Sequence, residues 1–184
     1  MRSLRTDVLA AAWSSLTLAA WIAPLTAADF WTAPVAASAA AGLAAGAFFP
    51  RRWLRTRDAA RTTRACERLG VRRFKTVVVF GDLMNRALAG LGWSRPFPYT
   101  PERLERWMLW TRVTERIHWA WLAGSLPAVW AAFHAGEHWL GAYVLCGNVP
   151  FNVYPILLQR YTRARLGRIQ ARLAIDPAAA LRAE

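Results

Sequence analysis

The chain has few of the residues on which common soluble chemistries are built. It holds two cysteines and three histidines in 184 residues. Cys66 falls in a basic stretch and Cys146 in an apolar one, so no disulfide framework and no cysteine-rich metal site is expected. Neither a glycine-rich phosphate loop nor a Gly-x-Ser-x-Gly turn is present, which leaves nucleotide hydrolysis and serine-nucleophile chemistry without support. Acidic residues are scarce, 11 against 24 Lys and Arg, and Lys75 is the only lysine. A formal net charge of +13 could point to nucleic acid, but no nucleic-acid motif accompanies it, and no nucleic-acid partner is expected.

The chain does have long apolar runs, at residues 8–27, 30–50, 117–134 and 138–158. Each is close to the ~20 residues that cross a bilayer core as a helix. The first has Arg2 and Arg5 ahead of it and Thr26-Ala27-Ala28 behind, as a secretory leader does. Its core is long, however, and a second run follows at once, so a retained span is expected. All basic residues lie in 1–7, 51–116 and 160–184; the short stretches around Asp29 and Gly136-Glu137 have none. Loops on the cytoplasmic side retain Lys and Arg. The pattern predicts an all-α membrane protein forming one integral membrane domain over 1–184, with four transmembrane helices and both ends inside. Amphipathic cytoplasmic helices are expected in the 51–116 segment and in a basic C-terminal helix over 160–175, both facing anionic lipid head groups.

Local signals refine this. The second run is almost entirely small residues from Ala36 to Ala47, which suits close helix packing in a hairpin with the first span. Residues 51–69 have the spacing of a surface helix, with Trp53 and Leu54 able to dip into lipid and Gly70 ending it. Val77 to Phe80 is too short to cross, and Gly90 to Pro101 reads as a loop. Thr100-Pro101-Glu102 is a strong helix start. That helix is expected to run into the third span and to kink at Pro127. The fourth span carries Pro150 and Pro155, so backbone carbonyls there need other partners.

Polar side chains at membrane depth mark candidate chemistry. Glu115 and His118 share a helix face with Thr111 and Leu122. Either Glu115 orients His118 as a general base, or Glu115 forms an ion pair with Arg112 or Arg116 and His118 is a bystander. Metal binding is not expected: His134 and His138 lie roughly 24–30 Å further along at about 1.5 Å per residue. In the fourth span Asn148, Asn152, Gln159 and Arg163 fall at helical offsets, forming a stripe that leads into Arg160, Tyr161 and Arg165. Such a stripe is either interhelical glue or a grip for the phosphates of an acyl donor; the arginines also fit simple positive-inside anchoring.

Thr111-x-x-x-Glu115-x-x-His118-Trp119, followed by Asn152-x6-Gln159-Arg160-Tyr161-x-Arg163-x-Arg165-Leu166, resembles the glycosyl-4,4'-diaponeurosporenoate acyltransferase family. Leu69 to Lys75, ahead of Gly81-Asp82, is similar to that family's aromatic-Lys segment. Thr162 departs from the family pattern, which has Asn there. The resemblance implies transfer of a fatty acyl group to a sugar hydroxyl of a carotenoid glycoside, the closing step of staphyloxanthin-type synthesis. On that reading His118 and Glu115 are catalytic. Asn152, Gln159, Arg160, Tyr161, Arg163, Arg165 and Lys75 bind substrate. No cofactor is expected beyond acyl-CoA or another activated acyl group as co-substrate. The partners are membrane lipids and a lipophilic glycoside or isoprenoid. Two rivals are another isoprenoid- or lipid-modifying membrane enzyme and a non-catalytic membrane partner protein.

Overall fold

The computed structural model describes residues 32–48, 59–77 and 100–175, and Pro24 by itself. Every element among them is helical: α1 (Ala33–Ala47), α2 (Ala59–Arg68), α3 (Val71–Val77), α4 (Pro101–His134), α5 (His138–Asn148) and α6 (Tyr154–Ile175). A π-helical turn, π1 (Val149–Val153), joins α5 to α6. His138 to Leu173 is thus one continuous helix of 36 residues.

That helix is the one, among the described residues, long and apolar enough to cross a membrane. The expectation of four spans is met at this place only. The 8–27 run lies outside the described residues. The second run appears as α1, whose apolar part, Val35–Gly46, is a shorter helix. The third is the C-terminal half of α4, where Trp119, Trp121, Trp130 and two histidines lower the hydropathy of the run. The fourth does not stop near residue 158 but continues directly into the basic helix.

The start of α4 follows from its sequence. Thr100 is extended (φ −79°, ψ 150°), its hydroxyl accepts from the Arg103 N–H at 3.4 Å, and Pro101 occupies the first turn. The expected kink is not expressed as a break, because α4 is helical straight through Pro127. Pro127 supplies no N–H to the Ala123 carbonyl, and that carbonyl faces α1 at Gly42. A Cβ on Gly42 would come within 2.5 Å of it. One turn on, a Cβ on Gly46 would collide with the backbone of Trp119 and Ala120. The small-residue face of α1 therefore seats on α4, so the backbones touch at Gly42 and Gly46, while Leu43 packs onto Gly124. The expected hairpin with the first span falls outside the described residues.

The basic segment packs against α6. Gly70 adopts φ +76°, a left-handed turn that glycine makes without strain, and it folds α3 back from α2. Cys66, Val71 and Tyr161 form a buried cluster flanked by Tyr154 and Leu157. The Tyr154 hydroxyl donates to the Leu69 carbonyl at 2.9 Å, and the Tyr161 hydroxyl to Glu67 Oε1 at 3.3 Å. Residues 51–58, 78–80 and 90–99, with Trp53, Leu54 and the loop expected there, lie outside the described residues.

Two outcomes follow. Gly46→Leu should lower stability by about 1–3 kcal/mol or more, the cost of overpacking a tight contact. Ala44→Leu, on the exposed side of α1, should change it little; thermal unfolding in detergent reads both. Burial pushes the Cys66 thiol above its ordinary value of 9.0, with Arg160 opposing the rise and Glu67 adding to it. The thiolate is the nucleophile. In a Cys146→Ala background, the rate of maleimide labelling at Cys66 should therefore keep rising with pH past 9.0.

Candidate active site

One face of α4 carries Thr111, Glu115, His118 and Ser125, and the α5–π1–α6 rod presents Asn148, Asn152, Arg160 and Arg163 to it. Six of these eight are among the buried polar residues: Glu115 is fully enclosed, Thr111, Asn148 and Asn152 are 2% exposed, Arg163 6% and Ser125 9%. Buried polar groups are tolerated when their hydrogen bonds are made, and here most are made, in two layers.

The inner layer is ionic. The Glu115 carboxylate accepts from Arg160 Nε at 2.7 Å on Oε1, and from Arg163 Nη2 on Oε2. Arg163 Nη1 reaches the Thr111 hydroxyl at 3.4 Å, and that hydroxyl donates to the Met108 carbonyl at 2.8 Å. Two guanidiniums thus face one carboxylate, and the Arg160 side chain keeps 31% exposure. The carboxylate pairs with neither Arg112 nor Arg116 of its own helix, nor with His118. In a low-dielectric interior two full charges outcompete a neutral ring for its oxygens.

The second layer is neutral and joins the two helices higher up. His118 Nδ1 lies 3.4 Å from Asn152 Oδ1, Asn152 Nδ2 donates to Asn148 Oδ1 at 2.7 Å, and the Ser125 hydroxyl reaches the same oxygen at 3.1 Å. Pro155 leaves the Phe151 carbonyl, close to the His118 ring, without its helical donor. Asn152 is bonded at both ends of its amide, to His118 and to Asn148.

The π turn explains which residues reach the site. Tyr154 N–H bonds the Val149 carbonyl five residues back, one residue more than an α-helix uses. The wider turn adds about one residue to the spacing across it, on the order of 100° around the axis, and the long side chains of Arg160 and Arg163, three apart on α6, meet at Glu115 together. Spacing counted at 3.6 residues per turn put Gln159 on the stripe. The structure brings Arg160 there instead, and leaves Gln159 half-buried to one side.

Other expected site residues lie elsewhere. Tyr161 faces α2 through its bond to Glu67. The exposed Arg165 places its guanidinium 5.7 Å from the centre of the Tyr161 ring. Lys75 is half-buried on α3. Sequence reading overlooked Ser125 and used Asn148 only as part of a stripe; Ser125, two turns beyond His118, carried a signal in its spacing. Among the described residues no three His, Cys, Asp or Glu side chains converge as a metal site would need.

Residues 50–172 match the model of a family described as glycosyl-4,4'-diaponeurosporenoate acyltransferase. No curated protein and no solved structure is significantly similar to the chain.

Loss of the buried carboxylate should be costly. Glu115→Ala strands Arg163 in the interior and should destabilise the fold by about 3–5 kcal/mol. Arg165→Ala, at the surface, should stay within about 0.5 kcal/mol; denaturant unfolding of the two variants in the same detergent measures the difference.

Proposed function

Because the chain belongs to the glycosyl-4,4'-diaponeurosporenoate acyltransferase family, we propose that it is a membrane-embedded O-acyltransferase that esterifies a hydroxyl of a glycosylated carotenoid or a related lipid. One observation carries the reading beyond family membership. A histidine and its amide partner meet between two helices whose exposed side chains next to that pair are apolar. Ile117 beside His118 is 46% exposed, and Val149 and Phe151 beside Asn152 are 45% and 37% exposed. A lipophilic acceptor could reach such a pair sideways, keeping its chain in hydrocarbon and only its head group at the polar atoms.

In this proposal the chain keeps four spans with both termini inside, as the placement of its basic residues favours. His118 lies roughly 24 Å from the far end of α4 at about 1.5 Å per residue, close to the inner edge of a ~30 Å hydrocarbon core. There it meets an acyl donor from the cytoplasmic side and an acceptor from the inner leaflet.

The reaction needs one base and one stabiliser of negative charge. His118 takes the proton of the acceptor hydroxyl as that oxygen attacks the acyl carbonyl. The tetrahedral oxyanion then collapses, and the leaving group of the donor departs with the proton returned by the imidazolium. Arg160, held by one edge against Glu115 and partly exposed, is the cation best placed for the anionic part of an acyl-CoA or other activated acyl group. Arg163 serves as its buried brace. Asn152 acts through His118, not on the substrate.

His118→Ala should abolish transfer of label from acyl-CoA to extracted lipids, while expression, membrane insertion and thermal unfolding stay at the level of the native protein. Retained turnover in that variant removes the proposed base. Label moving to an isoprenoid by some other chemistry would favour a different lipid-modifying enzyme.

A further inference from the structure

The neutral hydrogen-bond chain has a fixed polarity, and it can be read from its deep end. Asn148 Nδ2 donates to the Val144 carbonyl at 3.0 Å. A carbonyl can only accept, so this bond settles which end of the Asn148 amide is which. Turned the other way, Asn148 would set two acceptors face to face at Val144 and two N–H groups face to face at Asn152. With Asn148 Oδ1 fixed as an acceptor, Asn152 must give it an N–H, at 2.7 Å. Asn152 Oδ1 is then left toward His118, where only an acceptor can now stand, and Nδ1 of the ring must bring the proton. Ser125 closes the deep end, its hydroxyl lying 3.1 Å from Asn148 Oδ1 and 2.9 Å from the Leu122 carbonyl. Val144 is fully enclosed and Asn148 is 2% exposed, so water does not offer these groups other partners.

We infer that Asn148 and Ser125 are positioning residues that set the tautomer of His118 through Asn152, keeping the proton on Nδ1 and Nε2 as the nitrogen that takes up a proton. The effect is transmitted over more than one turn of the α5–π1 helix, from a backbone carbonyl that cannot reverse its role. A neutral imidazole carries a single ring proton, so a choice made at Nδ1 is a choice made at Nε2. The π turn is part of the device, because Asn148 and Asn152 are its flanking and its inner residue. The assignment of Nε2 as the base rests on the acyltransferase reading, whereas the tautomer itself does not.

The test uses the full-length protein labelled with 15N-histidine and reconstituted in phospholipid bilayers, without substrate. Its three histidines are assigned by comparison with His118→Gln. Solid-state NMR should show neutral His118 with Nδ1 protonated and Nε2 bare. Asn148→Leu should release Asn152 and give a mixture of tautomers, and Ser125→Ala should shift the population in the same direction by less. Asn148→Asp, with its enclosed carboxyl protonated toward the Val144 carbonyl, keeps an acceptor facing Asn152 and should restore the Nδ1–H form. A native His118 protonated on Nε2, donating to the Phe151 backbone, overturns the inference, as does an unchanged tautomer in Asn148→Leu. Should Asn148→Leu fail to fold, the native spectrum and Ser125→Ala still decide. In acyl-transfer assays Asn148→Leu should lower kcat several-fold with KM unchanged, the mark of an interaction felt only in the reacting complex. A confirmed tautomer with no acyl transfer by the native protein would leave the inference standing and sink the function proposed above.

Discussion

A carboxylate with no exposure, gripped by guanidiniums from another helix, ties α4 to α6. The pair is expensive to bury, and packed apolar residues often stabilise as well or better. What it supplies is a single allowed register. Glu115 can meet Arg160 and Arg163 together only when α4 and α6 stand at one height and one rotation. Once they do, His118, one turn along α4, is level with Asn152. The ionic layer thus positions the neutral layer, and the neutral layer carries the imidazole.

The π turn makes the two layers compatible. Pro150 and Pro155 withhold two backbone donors within a short stretch; Val149 N–H bonds the Cys146 carbonyl that Pro150 leaves free, and Tyr154 N–H bonds the Val149 carbonyl five residues back. The wider turn rotates α6 so that its arginines face Glu115. It also turns Tyr154 and Tyr161 toward α2 and α3, where their hydroxyls bond Leu69 and Glu67. One local change of pitch therefore serves both sides of α6. Such turns are frequent at functional sites, and here the reason is visible: it places polar groups on two faces of a helix that an even pitch would align differently.

A good part of the candidate site was legible before any coordinates. Glu115 and His118 stood out because charge in an apolar context is rare and spacing of three shares a face. Asn148, Asn152 and Arg163 stood out for the same reasons, and the cap at Thr100 and the break at Gly70 were readable from local chemistry. The pairing was not. Glu115 was expected to hold His118 or a neighbouring arginine of α4, since sequence shows neighbours along a helix and not across two. Gln159 was placed on the stripe by counting at constant pitch, and Tyr161 and Arg165 were grouped with Arg163 because they are close in sequence, although they point to another face.

By itself the sequence determined that the described chain is helical, where α4 begins, that α2 and α3 part at a glycine, and which polar residues sit in apolar surroundings. These are properties of single residues and of fixed intrahelical spacing, so they need no knowledge of what lies opposite. Only the tertiary structure decided that small residues of α1 seat on α4, that Arg160 replaces Gln159 at the carboxylate, and that an amide, not a carboxylate, holds the imidazole. Those outcomes depend on the rotation of one helix against another, and a single turn of altered pitch resets that rotation for every residue that follows.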